Sequence, residues 1–292
     1  MDWKTKSKHM LFDKSLDLVR LGELLGSGQN QIRLLRNCEL SSKKEETVEI
    51  SGDLFVDGDF KRICCGSENI IFNVTGSVKL KNILFEKSCR IKSSGNLEID
   101  GCKFEGSLAI ENSGKFLIAE TQISKSGSCI IANDGEVKFD CCRINENPAE
   151  KLIENNGDMW IVDCEILKND SSNVVISNAG NLEILYCAIA ENASEEIITN
   201  NGELMILKSK MEFNAVEKSV INNDKTAIIE HSVLKDNLEA GKASFNILNN
   251  DYMSLKRIEI KEGYETICNR GRINVEDPDI GRKILNEIKN YP

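Results

Sequence analysis

A single sequence motif, or phrase, repeats along most of this chain. It consists of a glycine followed by apolar residues two and four positions later, and it recurs about every 22 residues. The anchors are Gly52, Gly76, Gly95, Gly114, Gly135, Gly157, Gly180 and Gly202, and the phrase continues from Lys225, Asp251 and Gly271. Apolar side chains that alternate with period two are typical of a strand with one buried face. Each unit therefore contributes a strand to a repeated all-β structure.

Two further apolar columns complete the unit, one nine residues after the anchor and one four residues before it. A unit of about 22 residues cannot bury its own apolar face, so neighbouring units must stack into one core. Leucine-rich repeats have a similar length but require Leu-x-x-Leu-x-Leu and a helical half, and this sequence has neither. The pattern predicts the coils of a parallel β-helix.

Polar columns follow the same register. Asparagines stand two residues before the anchor and twelve after it: Asn112, Asn133, Asn155, Asn178, Asn200, Asn223, Asn249 and Asn269, and Asn147, Asn169, Asn192, Asn214 and Asn237. Asparagine suits turns, and stacked side-chain amides can hydrogen-bond from coil to coil. We therefore predict asparagine ladders at the corners of the coils.

The 11 cysteines fit the repeat better than a chemical site. Several stand seven residues after the anchor, where Cys142, Cys164 and Cys187 occupy consecutive units and share the column with small hydroxyl residues. Small buried thiols pack well at such a position. No Cys-x-x-Cys pair occurs, which removes the usual zinc and redox spacings. We expect reduced thiols, no metal site and no cofactor.

The two ends of the chain differ from the repeat. Ser15 to Leu25 is amphipathic and is followed by Gly26 and Gly28, which favours a helix, and Ile280, Ile284, Leu285 and Ile288 share one helical face. Solenoids must cover their open ends. The expected organisation is a tail and capping helix over 1–30, a β-helix over 31–277, and a short C-terminal capping helix over 278–292.

Charge and hydropathy exclude some partners. The net charge of −10 opposes binding to a phosphate backbone, so nucleic acid is not expected. No apolar run approaches the length of a membrane span, and Met1 to Lys4 lacks the apolar core of a signal peptide. The sequence therefore predicts a cytoplasmic protein without a membrane span.

The repeat resembles that of right-handed parallel β-helix proteins of the pectin-lyase-like superfamily, most closely the adhesin-like or polymorphic-membrane-protein type. The phrases that carry this resemblance are Asn155 to Ile161, Asn200 to Ile206 and Ile50 to Gly58, within a region of roughly residues 10 to 280. It implies an all-β, right-handed solenoid of about ten or eleven coils. The architecture hosts lyases, hydrolases, epimerases, adhesins and inert scaffolds, so it does not specify an activity.

Polysaccharide-cleaving members of the superfamily generally place carboxylates with a basic residue on the outside of a sheet. The matching outward positions here form a carboxylate cluster that we define as Asp100, Glu120, Asp140 and Asp163 with Lys138. Such a group could serve a polysaccharide lyase or a glycoside hydrolase, or hold Ca²⁺. The alternative is a solvated sheet face in a chain with 29% charged residues. The only histidines are His9, in the N-terminal tail, and His231, for which no acidic partner is identifiable on an adjacent coil.

A second outward set is apolar, and we call it the apolar face. Its members are Leu117, Trp160, Val162, Leu185, Tyr186, Met205, Leu207 and Ile228. A solvated sheet face should be polar, so this set indicates a covered surface. The cover is the C-terminal helix, a protein partner or second copy, or a carbohydrate that stacks on Trp160 and Tyr186. The favoured function is a non-catalytic scaffold that binds a protein or a second copy of itself, and the alternatives are a carbohydrate-active enzyme and a surface adhesin.

Overall fold

The chain winds into a solenoid of parallel strands. The computed structural model describes residues 10–12, 30–40, 44–65, 70–127, 129–239, 245–263, 267–276 and 280. These residues form 35 strands in three sheets, A, B and C, and each coil passes through A, then B, then C. Backbone hydrogen bonds join every strand to the equivalent strand of the next coil, which is why the repeat period seen in the sequence sets the pairing register.

Sheet A is the longest of the three. It contains β1 Met10–Phe12, β2 Gln31–Leu34, β5 Asp53–Asp57, β8 Ser77–Lys81, β11 Asn96–Asp100, β14 Lys115–Ala119, β17 Glu136–Asp140, β20 Asp158–Val162, β23 Asn181–Leu185, β26 Glu203–Leu207, β29 Thr226–Glu230, β32 Tyr252–Lys256 and β35 Arg272–Val275. β1 lies within the segment expected to be a tail, and it extends the sheet by pairing with β2.

Sheets B and C supply the other two sides of each coil. Sheet B contains β3 Cys38–Leu40, β6 Arg62–Cys65, β9 Leu84–Lys87, β12 Lys103–Glu105, β15 Gln122–Ser124, β18 Arg143–Asn145, β21 Glu165–Leu167, β24 Ala188–Ala190, β27 Lys210–Glu212, β30 Val233–Glu239 and β33 Glu259–Gly263. Sheet C contains β4 Glu46–Ile50, β7 Ile70–Val74, β10 Cys89–Ser93, β13 Leu108–Asn112, β16 Ile131–Asn133, β19 Pro148–Asn155, β22 Asp170–Asn178, β25 Ala193–Asn200, β28 Ala215–Asn223, β31 Phe245–Asn249 and β34 Ile267–Asn269. The prediction of a parallel solenoid of about ten coils is confirmed.

The core runs along the axis of the solenoid. In β23, for example, Leu182 and Ile184 point inward and are fully buried, whereas the residues between them face outward. The same inward positions recur in each coil, so like side chains stack on like through the length of the core. Burial of a full aliphatic side chain contributes about 1.5–3 kcal/mol. This stacked column, repeated coil after coil, is the main source of stability.

Each corner of the coil carries its own inward polar column. At the corner between sheets C and A, the Asn178 side-chain nitrogen donates to Asn200 Oδ1 at 2.7 Å, and the chain of such bonds runs from Asn112 to Asn269. At the corner between B and C, an equivalent chain begins with Asn147 donating to Asn169 Oδ1 at 2.9 Å. Both predicted asparagine ladders are confirmed.

The corner between A and B uses smaller groups. The backbone N–H of Cys142 donates to Cys164 Sγ at 3.3 Å, and that of Cys187 donates to Ser209 Oγ at 3.0 Å. Buried backbone donors at this bend therefore find a thiol or hydroxyl one coil ahead, where the corner between B and C supplies an amide oxygen, as Asn169 does for the backbone N–H of Asn147. This explains why cysteine, threonine and serine interchange in the column.

Two of the corners also bend through left-handed backbone. Residues with positive φ recur one position after each sheet-A strand from β8 to β32, as at Asp163 (φ 51°) and Tyr186 (φ 59°). They also recur near the end of each sheet-B strand from β9 to β30, as at Glu146 (φ 57°). The corner between C and A instead brings successive backbones close together. A Cβ on Gly180 would lie 2.1 Å from the carbonyl oxygen of Gly157, so this anchor requires glycine.

Apart from Ile280, the residues of the two predicted capping helices lie outside the described residues. Within those residues there is no helical element, so neither cap is supported there. Ile280 is described, and it is buried as part of the core cluster. The described part of the chain has no helix with the length and hydropathy of a membrane span.

Candidate functional site

The outward side of sheet A carries both sets of residues that the sequence singles out. In each five-residue strand the second and fourth side chains enter the core and the first, third and fifth face outward, because strand side chains alternate. In β20 the outward residues are Asp158, Trp160 and Val162. Parallel pairing in register aligns these positions into a first, a middle and a last outward row along the solenoid.

The apolar face occupies the last two rows. In the last row, Val162, Leu185 and Leu207 stack in three consecutive coils. In the middle row, the order is Leu117, Lys138, Trp160, Glu183, Met205 and Ile228. The structure thus brings together seven of the eight predicted residues on one sheet, and Tyr186 stands at the corner directly after β23.

Exposure within the apolar face is uneven. Met205 is 38% exposed and Tyr186 is 50% exposed, and the other six are half-buried by their neighbours in adjacent coils. Lys208, one coil further, places its Nζ 5.2 Å from the centre of the Tyr186 ring and 3.4 Å from its hydroxyl oxygen. A cation over an aromatic face is attractive. Tyr186 therefore has a partner that fixes it at the edge of the face.

Two shallow grooves flank Trp160 and share it as a lining residue. One, of about 300 Å³, runs toward the N-terminal coils past Leu117 and Lys138. The other, of about 280 Å³, runs toward the C-terminal coils past Glu183 and Met205. Selection of residues by apolarity alone misses the charged groups in this surface. In the sequence, these groups are recognisable as charged residues that recur at the middle-row position of alternate coils, as Lys138 and Glu183 do.

The charges of the two grooves differ. The first is lined by Lys79, Lys115 and Lys138 with Glu98 and Glu136. The second is lined by Asp158, Glu183 and Glu203, with no lysine or arginine among its lining residues. The lysines of the first groove form ion pairs within the chain, Lys115 with Glu136 at 2.9 Å and Lys138 with Asp140 at 2.6 Å, so its charge is mixed. The second groove is purely acidic.

The carboxylate cluster is spread over several coils and its members have different environments. Asp100 forms an ion pair with Lys81 at 3.1 Å, and Lys138 Nζ donates to Asp140 Oδ2 at 2.6 Å. The hydrogen bond from Lys138 lowers the pKa of the Asp140 carboxyl. A glycosidic general acid needs the opposite shift. Asp140 is therefore poorly suited to donate a proton at neutral pH.

Within this cluster, Asp140 and Asp163 approach one another across adjacent coils. Their carboxylate oxygens and the Cys141 thiol lie within 4.8 Å of each other. Partial desolvation and the neighbouring carboxylate of Asp140 raise the pKa of the Cys141 thiol, so it stays protonated at neutral pH. A protonated thiol is a poor metal ligand. Glu120 occupies the same corner column as Asp163, with φ 47° against 51°, and is exposed.

The cysteine column beneath this surface is buried. Cys142, Cys164 and Cys187 stack in successive coils, and Cys187 Sγ lies 3.2 Å from the carbonyl oxygen of Ile161. Contact with Cys164 and burial raise the pKa of the Cys142 and Cys187 thiols far above the usual value. The Cys142 and Cys187 thiols are therefore neutral and unreactive. All 11 cysteines are unbridged, and this column serves packing at the corner.

Comparison with known proteins bears on the fold. No curated protein and no solved structure matches the chain. The family model described as the right handed beta helix region matches residues 90–260, which is more than half of the chain and includes both grooves beside Trp160 except for Ser77, Val78 and Lys79. This agrees with the parallel solenoid and its ladders, and the chain belongs to the right-handed β-helix family.

Proposed function

We propose that the protein is a non-catalytic β-helix scaffold that binds protein through the apolar face. The observation that carries the proposal is the stack of Val162, Leu185 and Leu207 on the outside of three consecutive coils, with Trp160 and Met205 in the adjacent row. An outward apolar surface of this kind marks a contact site.

Sheet B of the same coils supplies an internal comparison. Its outward residues in β21, β24 and β27 are Glu165, Leu167, Ala188, Ala190, Lys210 and Glu212. They include one large apolar side chain, whereas the last two outward rows of sheet A in β20, β23 and β26 include five. The two sheets share the same core and coil length, so core packing does not require the difference. Binding gives a reason for it.

The rigid backbone also suits this role. Three sheets joined by two asparagine ladders hold the outward rows at a fixed spacing of about 4.8 Å per coil. A partner then meets a preformed surface and orders few side chains on binding, which preserves affinity. The proposal places the chain in the cytoplasm, where its thiols remain reduced.

A single substitution tests the proposal. Leu207→Asp puts a carboxylate in the last row of the apolar face, and we expect loss of association without loss of fold, because a buried unpaired charge opposes binding. Association is measured as solution mass by light scattering of the purified protein and as recovery of stoichiometric partners, and the fold by circular dichroism melting. The matched control is Leu167→Asp, a half-buried outward leucine on sheet B.

The outcomes separate the alternatives. Association that persists in Leu207→Asp excludes the apolar face as the contact site. A variant that unfolds, while Leu167→Asp remains folded, shows that the face is covered by another part of the same chain. Loss of association in Leu207→Asp alone supports the proposal.

A further inference from the structure

We propose that the occupant of the apolar face is a second copy of this chain, lying antiparallel across sheet A with a two-fold axis at Trp160. The inference rests on the proposed function, because it names the partner of the same surface. Its basis is that the outward rows of sheet A are complementary to themselves in one register.

The geometry of such a pair is restrictive. A two-fold axis along the strand direction leaves each outward row opposite the same row of the other copy and reverses the order of the coils. With the axis at Trp160, Lys138 lies opposite Glu183 of the second copy, one coil on either side of the centre. One coil further, Leu117 lies opposite Met205. Each of these contacts occurs twice.

The first outward row and the grooves agree with this register. Lys115 is two coils before Trp160 and Glu203 two coils after it, so these residues also oppose one another. The same rotation places the groove that carries the lysines over the acidic groove of the second copy. Opposite charges that face each other across an interface favour that register and reject others.

Other symmetric arrangements are less favourable. A two-fold axis along the solenoid axis makes each coil face the same coil of the second copy. Lys138 then lies opposite Lys138, and Glu183 lies opposite Glu183. Moving the antiparallel axis by one coil, to β23, again opposes Glu183 to itself and brings Asp158 against Glu203. Like charges placed opposite one another are destabilising. Of these arrangements, the register centred on Trp160 pairs the lysines with carboxylates.

Four positions weaken the preferred register and limit its affinity. At the two ends of the contact, Asp100 faces Glu230 of the second copy and Glu98 faces Ile228. Asp158 faces Asp158 of the second copy at the edge of the sheet, where it accepts a hydrogen bond from Asn181 of its own chain at 2.7 Å. Asp140 faces Leu185, although Lys138 neutralises it at 2.6 Å. The contact from β11 to β29 measures about 30 Å by about 15 Å, which is small beside stable interfaces. We therefore expect a dimer with a micromolar dissociation constant.

A charge exchange between two variants tests the register. Lys138→Glu alone and Glu183→Lys alone each create like-charge pairs in a homodimer, and we expect each to weaken self-association at least about tenfold. In an equimolar mixture, the carboxylate introduced at position 138 of one variant meets the ammonium group introduced at position 183 of the other. The native Glu183 and Lys138 of the two variants meet at the symmetry-related contact. The mixture should recover dimers of nearly wild-type affinity. Sedimentation equilibrium over a concentration series measures the wild type, both variants and the mixture.

The controls separate failure of the inference from failure of the proposed function. Lys210→Glu and Glu212→Lys, both outward on sheet B, should leave the dimer unchanged. A wild-type protein that stays monomeric at millimolar concentration overturns the inference, as does a mixture that fails to recover. If association is nevertheless lost in Leu207→Asp, the apolar face binds another protein and the proposed function stands. If Leu207→Asp changes nothing, both are wrong.

Discussion

The first coils and the central coils fill the same corner with different chemistry. Between sheets C and A, the inward position is Ile50, then Val74, then Ser93, and from Asn112 onward it is asparagine in every coil. All of these side chains are buried up to Asn249. One backbone path therefore accepts either an apolar side chain or a hydrogen-bonded amide at this bend.

The apolar corner and the amide corner differ in the interactions that stabilise them. Asn178 donates to Gly180 O at 3.1 Å, to Glu203 O at 3.0 Å and to Asn200 Oδ1, and it accepts from Asn155 at 2.8 Å. The apolar version depends on volume, and the N-terminal coils contain a cavity of about 60 Å³ lined in part by Ile50 and Val74. The comparison indicates that the amide corner is destabilised when a substitution removes its hydrogen bonds. The apolar corner is destabilised when a substitution changes the side-chain volume.

The largest effect is expected from Asn178→Leu, which removes an amide from the middle of the ladder. The change removes the donor to Asn200 Oδ1 and to the carbonyl oxygens of Gly180 and Glu203 in a dry interior. It also removes one of the three acceptors of the Asn155 side-chain nitrogen. We expect a loss of about 3–5 kcal/mol in the free energy of unfolding, measured by urea denaturation. A loss below about 1 kcal/mol would mean that the ladder contributes little, and the two corners would then be equivalent.

A smaller effect is expected from Val74→Ala, at the equivalent position of an N-terminal coil. The substitution enlarges an existing cavity and breaks no hydrogen bond, so the expected loss is about 2 kcal/mol by the same measurement. Val74→Ile serves as the size control, because a branched apolar residue of similar shape should retain most of the stability. If Val74→Ala costs as much as Asn178→Leu, the distinction between volume and hydrogen bonding fails.

The smallest effect is expected at the junction of the two regions, from Ser93→Asn. Ser93 Oγ is buried and has no hydrogen-bond partner among the described residues, and the next coil presents Asn112 Oδ1. An asparagine here should extend the ladder by one coil and raise the free energy of unfolding by about 0.5–1 kcal/mol. Ser93→Ala is the control for removal of the hydroxyl. Equal gains in both variants would argue against an added ladder bond.

Much of the fold was predictable because the inward positions repeat. The columns that include Leu182, Ile184 and Asn178 recur with a near-constant period, and each column corresponds to one place in the coil. The left-handed corners were not predictable. Residues such as Glu146 and Phe213 have positive φ, and no glycine or asparagine marks those positions. There the stacking of neighbouring coils imposes a backbone conformation that the local sequence does not favour.

The sequence was sufficient to select the residues of the candidate site. It was not sufficient to predict how their charges are arranged relative to one another. Alternation places Trp160 and Leu207 on the outside of one sheet, as the strand burial patterns show. The complementarity of Lys138 and Glu183 about Trp160 emerges only when strands are aligned in register, since these residues are far apart in sequence. The approach of Asp140 to Asp163 has the same origin, because it depends on the stacking of successive corners.

The ladders have one further consequence. Every asparagine in the column from Asn112 to Asn249 makes the same bond to the next coil, so this part of the interior is nearly unchanged by translation along the axis. The ladder therefore does not distinguish one coil from the next, and the outer surface does. An insertion or deletion of one whole unit would preserve the ladder while moving Lys138 and Glu183 to a new separation. The number of coils between two outward side chains therefore sets the distance between them, and the ladder does not restrict that number.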